Sequence, residues 1–259
     1  MQKTIRFISK SLFVSMIIIA GLAFCLGTQA EEIQVSEEIA LDQEVSAQDL
    51  EVKDPWLLPD SSFYFAKDWS RGIRSFFTFD SVKKAELKSK FANERLIEIQ
   101  KMTTENKSAE IIEKATENYK REVERIREMA GKIKEKAKDS PAVSSFLDKL
   151  SRHQILHHKI LEKLETQVPE RAMQKIREAR EEHLEKFGEI MINLEDRKDK
   201  IRERLERSIQ EIKGSEFKDF KNLEILQEIE EKFPGISGNL QLRNQLKEIK
   251  TSPKMNGNK

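Results

Sequence analysis

The sequence predicts an all-α protein, an elongated antiparallel helical bundle with long, coiled-coil-like helices. Charged residues make up 36% and hydrophobic residues 37% of the 259 residues, whereas glycine (9) and proline (6) are scarce. Apolar residues recur at the helical spacings of three and four along most of the chain. Aromatic residues amount to only 7%, which together with the few turn residues disfavours an all-β protein. The same composition excludes collagen-like, disulfide-framework and polytopic membrane proteins.

The first thirty residues have the three-part pattern of a secretory signal. Basic residues precede an uncharged run over residues 12–26, and Thr28-Gln29-Ala30 follows it. A run of about 15 residues is shorter than the roughly 20 that span a membrane. We therefore expect residues 1–30 to be a signal peptide cleaved after Ala30, with an uncleaved anchor as the alternative. The single cysteine, Cys25, lies in this run, so the mature chain would carry no thiol for catalysis, disulfides or zinc binding.

The next segment is strongly acidic. Residues 31–54 contain nine acidic residues, one basic residue and no aromatic residue, which indicates an acidic flexible linker; the alternative is a frayed helix. The mature chain has 44 basic and 46 acidic residues, a net charge of −2, so no strong field attracts nucleic acid. We expect a helical domain over residues 55–213, a C-terminal helical extension over 214–250 and a disordered tail over 251–259.

An aromatic segment opens the helical domain. Eight of the fifteen aromatic residues of the mature chain lie in residues 56–79. At 100° per residue, Phe65, Trp69, Ile73 and Phe76 fall within a sector of about 80° on one helix face. We expect this face to plug the end of the bundle; the alternative is docking to a membrane surface or a partner protein. The segment comprises Trp56, Phe63, Tyr64, Phe65, Trp69, Ile73, Phe76, Phe77 and Phe79. A basic face lies roughly opposite, formed by Lys67, Arg71 and Arg74.

Three further helices follow from capping residues and apolar spacing. Asp80 or Ser81 begins a helix that runs to about Met102, and a polar turn over residues 103–107 follows it. Ser140-Pro141 begins another helix that runs to about Glu165. The helix between them has the clearest seam in the chain, with steps of three and four that are typical of coiled coils. The seam is Ile112, Ala115, Tyr119, Val123, Ile126, Ala130, Ile133 and Ala137.

The last part of the domain predicts one very long helix. From Pro169 it could continue to Lys213, where Gly214 ends it. Some 44 residues span roughly 66 Å, so several helices must flank this one or part of it must meet another chain. Two shorter helices are predicted beyond it, over Ser215–Phe233 and Ser237–Ile249.

Three stretches of sequence carry a family resemblance. They are Leu-Pro-Asp-Ser-Ser-Phe-Tyr-Phe-Ala-Lys over 58–67, Phe-Thr-Phe-Asp-Ser-Val-Lys-Lys-Ala-Glu-Leu over 77–87, and Phe-Ala-Asn-Glu-Arg-Leu over 91–96. Together they resemble the uncharacterised bacterial family called domain of unknown function 5667. The chain departs from the family pattern at four positions. It has Asp60 in place of glycine, Ser62 and Ser81 in place of proline, and Ala66 in place of leucine, so the two turns lack the glycine and prolines of the pattern. The resemblance implies an exported or membrane-tethered, all-helical bacterial protein and implies no activity.

Candidate chemistry is sparse. His153 and His157 are four residues apart on one helix face, so they are candidate metal ligands together with His158 and Glu162. The alternative is that these histidines are partly exposed residues beside the seam. The sequence contains no His-Glu-x-x-His, Gly-x-Ser-x-Gly or phosphate-binding loop. We therefore expect no enzyme activity, no catalytic residue and no cofactor.

These observations favour an exported, non-catalytic helical protein of the bacterial cell envelope. It would be secreted, periplasmic or membrane-tethered, and it would act through helix–helix contacts with itself or with a partner protein. Two alternatives stay open: an extracytoplasmic sensor or holding chaperone that binds metal or unfolded chains, and a peripheral membrane protein that binds through the aromatic helix over residues 63–77. We expect neither a nucleic acid nor a small-molecule substrate as partner.

Overall fold

The computed structural model describes residues 44–137, 140–212, 228 and 231–232, which belong to one compact unit over residues 43–259. These residues form α-helices and no strand, which confirms the all-α prediction. The helices are α1 (Tyr64–Phe76), α2 (Ser81–Thr104), α3 (Ala109–Ala137), α4 (Pro141–Gln167), α5 (Glu170–Leu194) and α6 (Lys198–Glu211). The predicted signal peptide, the linker up to residue 43, the tail and nearly all of the C-terminal extension lie outside the described residues.

Polar caps and turns set the helix boundaries. The Asp80 side chain accepts a hydrogen bond of 2.8 Å from the backbone N–H of Lys83 at the start of α2. Ser140 caps α4 in the same way, and Pro141 occupies its first turn. Between α2 and α3, Asn106 has a φ of 52°, a left-handed conformation that asparagine tolerates better than most residues. The predicted starts of α2 and α4 are thereby confirmed.

Helices α2 to α5 form a four-helix bundle. Around the bundle, α2 contacts α3, α3 contacts α5, α5 contacts α4, and α4 contacts α2. The pairs joined by short turns, α2/α3 and α4/α5, are antiparallel hairpins, whereas α3 and α5 run side by side in parallel. Ion pairs advance along both of these helices in the same direction, from Glu113–Arg171 through Glu124–Lys186 to Arg127–Glu189. The chain therefore crosses the bundle diagonally between α3 and α4.

The core follows the predicted seam of α3. Its seven members from Ile112 to Ile133 are all buried, with Tyr119 fully enclosed. Apolar residues from the other three helices surround them, including Leu96, Leu161 and Ile176. The core stabilises the fold because each buried aliphatic side chain contributes roughly 1.5–3 kcal/mol of transfer free energy.

The predicted continuous helix from Pro169 to Lys213 is wrong. Helix α5 ends at Leu194, and the backbone is extended at Glu195 and at Arg197 before α6 begins. Residues 195–200 are all charged, so no apolar contact holds them in a helix. The chain then folds back, and α6 packs on α4. The reversal leaves Ile201 and Leu205 only 1% exposed, and a straight continuation beyond the bundle would expose both.

This reversal of the chain predicts the cost of shortening a buried side chain in α6. Leu205→Ala is expected to lower the free energy of unfolding by about 2–5 kcal/mol, because it removes a buried side chain and leaves a cavity. Urea denaturation followed by circular dichroism measures the loss. The matched control is Ile192→Ala on α5, where the side chain is exposed and the change should stay within about 0.5 kcal/mol. Equal stability of the two variants would mean that α6 does not pack on the bundle.

The flexible linker prediction is wrong for residues 44–54. This segment packs on the bundle through Ala47, Leu50 and Val52, which are buried in the core. The Glu51 carboxylate also forms an ion pair of 2.8 Å with Lys149 on α4. Four apolar residues among these eleven give no sustained helical period, so the sequence pattern did not reveal that the domain begins before residue 55.

Candidate functional site

Helix α1 exposes its aromatic side to solvent. We call Phe65, Trp69, Ile73 and Phe76 the aromatic face; the three aromatic members are 70%, 72% and 71% exposed. The opposite side of the helix, with Tyr64 and Arg71, is buried. The expectation that the aromatic face plugs the end of the bundle is therefore wrong, because the helix packs with its polar side inward.

The exposed aromatic surface extends beyond α1. Of the nine large hydrophobic residues that are exposed in the described part of the chain, eight lie in residues 56–79. Besides the aromatic face they are Trp56, Phe63, Phe77 and Phe79. At roughly 150–250 Å² for each aromatic side chain, the three exposed rings of the aromatic face alone present an apolar surface of several hundred Å², a size at which exposed patches are often functional. Tyr64 is the one member of the predicted aromatic segment that is not exposed.

The buried side of α1 forms what we call the charge network with α2. Its α1 members are Tyr64, Lys67, Asp68 and Arg71, and its α2 members are Glu94, Arg95 and Glu98. Arg71 is its centre: its guanidinium donates to Glu94 at 2.8 Å, to Glu98 at 2.8 Å and to the Tyr64 hydroxyl at 3.0 Å. The other two basic members also pair with carboxylates: Lys67 is 2.6 Å from Glu98, and Arg95 is 2.6 Å from Asp68. The Tyr64 hydroxyl also donates to Glu98.

The charge network is electrically balanced, with three cations and three carboxylates. Glu98 is fully buried, and its oxygens bind Lys67, Arg71 and Tyr64. Burial and the neighbouring Glu98 carboxylate raise the pKa of Tyr64, so its hydroxyl keeps its proton. Charged groups in a protein interior are stable only when they are paired and hydrogen-bonded, and here each charge has a partner of opposite sign.

The charge network explains the orientation of α1. The surface of α2 that faces α1 carries Glu94, Arg95 and Glu98, whose charged groups pair with the polar side of α1. Two of the three residues of the predicted basic face, Lys67 and Arg71, lie in the network instead of in solvent. The third, Arg74, is exposed and lies over the Phe91 ring at 5.4 Å, a cation–π distance.

A second group of polar side chains, which we call the polar core, lies inside the bundle. Its members are Asn93, Tyr119, His153, His157 and His183. Asn93 donates to the Leu50 carbonyl at 2.8 Å, so its amide oxygen must be the atom that faces His157 Nε2 at 2.7 Å. Because that oxygen only accepts, His157 carries its proton on Nε2 and accepts at Nδ1.

The positions of the remaining protons in the polar core follow from the orientation of the Asn93 amide. Tyr119 must donate to His157 Nδ1 at 3.0 Å, so His183 Nδ1–H donates to the Tyr119 oxygen at 2.8 Å. The second amide hydrogen of Asn93 points to His153 Nδ1 at 3.1 Å. One hydrogen-bond chain thus joins α5, α3, α4, α2 and the segment before α1, with His153, His157 and His183 neutral.

Burial keeps these histidines neutral near pH 7. It is the largest cause that lowers the pKa of His153 to about 4 and of His183 to about 3, and it lowers the pKa of His157 well below its usual value. Neighbouring histidines add to the effect at His157 and His183. Burial also raises the pKa of Tyr119 well above its usual value. The histidines are therefore core residues, and the prediction that they are partly exposed beside the seam is wrong.

The candidate metal ligands do not converge. His153 and His157 both bind Asn93, whereas His158 Nε2 is 3.6 Å from the Glu228 carboxylate. Glu162 lies one turn beyond His158 and is partly exposed. Within the described residues, no group of three or more His, Cys, Asp or Glu side chains could hold a metal ion.

Two cavities adjoin the polar core. An open groove of about 340 Å³ lies between the segment before α1, α2 and α4, with Leu50, Phe146 and His153 in its lining and charged residues such as Lys90 and Glu86. A second cavity of about 10 Å³ lies inside the bundle. His153 Nε2, Gln154 Nε2 and His183 Nε2 lack a hydrogen-bond partner, and these three residues line it. Its size is about that needed for one water molecule.

Sequence reasoning identified the aromatic segment but missed the charge network and the polar core. One signal for the charge network was available: Glu94 and Glu98 lie one turn apart on α2, beside Arg95 and next to the basic side of α1. Burial of the histidines had a weaker signal, since His153, Leu150 and His157 share a face of α4. No helix in the described part of the chain is both long and apolar enough to cross a membrane.

Comparison with known proteins gives one match. The family model described as Domain of unknown function (DUF5667) matches residues 56–236, which is more than half of the chain. The match covers α1 with its aromatic face, the charge network and the whole bundle. No curated protein and no solved structure matches this chain.

Proposed function

This chain belongs to the DUF5667 family, and we propose that it is an exported, non-catalytic helical module of the bacterial cell envelope. It acts by binding a partner through the aromatic face of α1. One observation carries the proposal: α1 buries a balanced set of charges and leaves its aromatic side in solvent. Exposing several hundred Å² of apolar surface is unfavourable for an isolated domain, so a surface of this size marks a binding site.

The position of the polar groups supports a non-catalytic role. A nucleophile and its base must reach a substrate in a concave site. The histidines and Tyr119 instead bind one another and Asn93 inside the bundle. The acidic and basic members of the charge network are likewise bound to one another beneath α1. These groups stabilise the fold and set the direction of the aromatic face.

Export is supported by the sequence of the first thirty residues, with their basic start, apolar run and Thr28-Gln29-Ala30 ending. When the cell wall and any outer membrane are removed and the cytoplasmic membrane is left intact, protease added outside the cells should degrade the protein. Protection from protease until the membrane is lysed would contradict export.

Photocrosslinking in living cells tests the docking role. We would place p-benzoylphenylalanine at position 69 of the full chain, and at position 192 as the control, because Ile192 is an exposed apolar residue on α5. Irradiation should give adducts with a lipid, a protein or a second copy at position 69 and not at position 192. Equal or absent adducts at the two positions would overturn the proposal that the aromatic face is a binding surface.

A further inference from the structure

We propose that the partner of the aromatic face is the surface of an anionic phospholipid membrane. The Phe65, Trp69 and Phe76 side chains insert between the lipid headgroups while α1 lies parallel to the membrane plane. This inference rests on the proposed docking function and specifies the chemistry of the partner. Three features of the described residues and one of the sequence lead to it.

The aromatic face of α1 forms an uncharged strip, and the exposed charged residues of the helix, Asp68 and Arg74, lie outside it. Between the four residues of the aromatic face lie Ala66 and Gly72, which are exposed and small. The helix has 13 residues, so this uncharged strip is about 20 Å long at 1.5 Å per residue. Phenylalanine and tryptophan are the residues that membrane-surface helices place at the headgroup level. A protein partner would have to supply a matching groove, whereas a bilayer accommodates such a strip along its whole length.

The charge network presents this strip in a fixed direction. Arg71 binds Glu94 and Glu98 on α2, so α1 cannot rotate its aromatic face toward the bundle without breaking buried ion pairs. Many membrane-surface helices must fold when they bind and lose conformational entropy at that step. Here the helix is already formed and oriented, so that cost is avoided.

Positive charge lies beside the C-terminal end of α1. Arg74, Lys83 and Lys84 form no ion pair with any other described residue and are exposed or partly exposed. Outside the balanced charge network and the Lys88–Glu122 pair, residues 64–90 contain four basic and two acidic residues, an excess of two positive charges. A basic residue near an anionic membrane raises binding about fivefold, so the local charge complements acidic headgroups.

The domain begins close to the predicted export signal. Because residues 44–54 are packed on the bundle, only residues 31–43 separate the domain from Ala30. Thirteen residues span at most about 47 Å, at 3.6 Å per residue. An uncleaved anchor would therefore keep residue 44 within that distance of the membrane, and a cleaved chain would be released on the same side of it.

Vesicle binding tests the inference. The chain from residue 31 onward, without the predicted signal, is mixed with vesicles of phosphatidylcholine alone or with added phosphatidylglycerol, and bound protein is measured by flotation. Trp56 and Trp69 are the two tryptophans, so a blue shift of their fluorescence reports insertion. We expect binding to the anionic vesicles, at least tenfold weaker binding to phosphatidylcholine alone, and a blue shift only where binding occurs.

Matched variants identify the surface responsible. The triple variant Phe65→Ser/Trp69→Ser/Phe76→Ser should bind anionic vesicles at least a hundredfold more weakly, because three rings no longer leave water. Its circular dichroism should be unchanged, since all three side chains are exposed. Ile192→Ser, an exposed apolar position off the face, should bind like the wild type.

The outcomes separate the two proposals. Absence of wild-type binding, equal binding of the triple variant, or equal binding to both kinds of vesicle would overturn the lipid inference. If the wild-type protein does not bind vesicles but crosslinks from position 69 reach a protein or a second copy, the docking function stands and the lipid inference is wrong. If position 69 yields no adduct in cells and the wild-type protein does not bind vesicles, both proposals are wrong.

Discussion

Glu98→Gln is expected to lower the free energy of unfolding by about 3–5 kcal/mol. The substitution keeps the shape of the side chain but removes a carboxylate that is fully buried and that binds Lys67, Arg71 and Tyr64. Three positive charges then share two carboxylates beneath α1, and an uncompensated buried charge is strongly destabilising. Urea denaturation monitored by circular dichroism gives the loss.

The matched control is Glu113→Gln. Glu113 pairs with Arg171 at 3.2 Å between α3 and α5, but the Arg171 side chain is 72% exposed. An exposed pair of this kind contributes about 0–1 kcal/mol. If Glu98→Gln costs no more than Glu113→Gln, the charge network does not hold α1 in place, and the fixed direction of the aromatic face loses its physical basis.

The apolar parts of the fold were predictable because periodicity reports burial directly. The seam of α3 from Ile112 to Ile133 was predicted residue by residue, and those residues are buried. Periodicity also located α1 and its two faces. It could not show which face turns inward, because that depends on the neighbour: α2 presents Glu94 and Glu98 there, so the polar face of α1 is the one that packs.

The same limitation accounts for the other differences. Ile201 and Leu205 continue the apolar period of α5, but a period persists through a reversal of chain direction and cannot distinguish a long helix from two antiparallel ones. Leu50 is buried although the segment around it is acidic, since one side chain can dock without any periodic pattern. The polar core depends on Asn93 meeting His157 across 64 residues of sequence, a contact that only the assembled bundle creates.

Acidification is expected to destabilise the bundle through the polar core. His153, His157 and His183 have folded-state pKa values below the ordinary value of about 6.5. Between the two values the unfolded chain binds protons that the folded chain does not, so stability falls as pH decreases. The loss begins near pH 6.5 and continues until about pH 4 for His153 and about pH 3 for His183. Each histidine contributes up to about 1.4 kcal/mol per pH unit in this window.

The summed effect is large relative to the stability of the protein. From pH 7 to pH 5 the three histidines together remove about 5 kcal/mol, which is comparable to the whole free energy of unfolding of many domains. The range from pH 7 to pH 5 lies above the folded-state pKa values of Glu51, Glu124 and Glu182, which are lowered from their ordinary value. Urea denaturation at a series of pH values between 7.5 and 5, by roughly half-unit steps, measures the slope of stability against pH.

His183→Asn assigns the slope to the polar core. The asparagine amide occupies the place of Nδ1–H and can still donate to the Tyr119 hydroxyl, to which His183 donates at 2.8 Å, but it does not bind a proton in this range. The variant should therefore lose about one third of the slope between pH 6.5 and pH 5, whatever its stability at pH 7. An unchanged slope, or a wild-type stability that is constant down to pH 5, would mean that these histidines accept protons in the folded state and that the hydrogen-bond chain through Asn93 does not exclude the charged form.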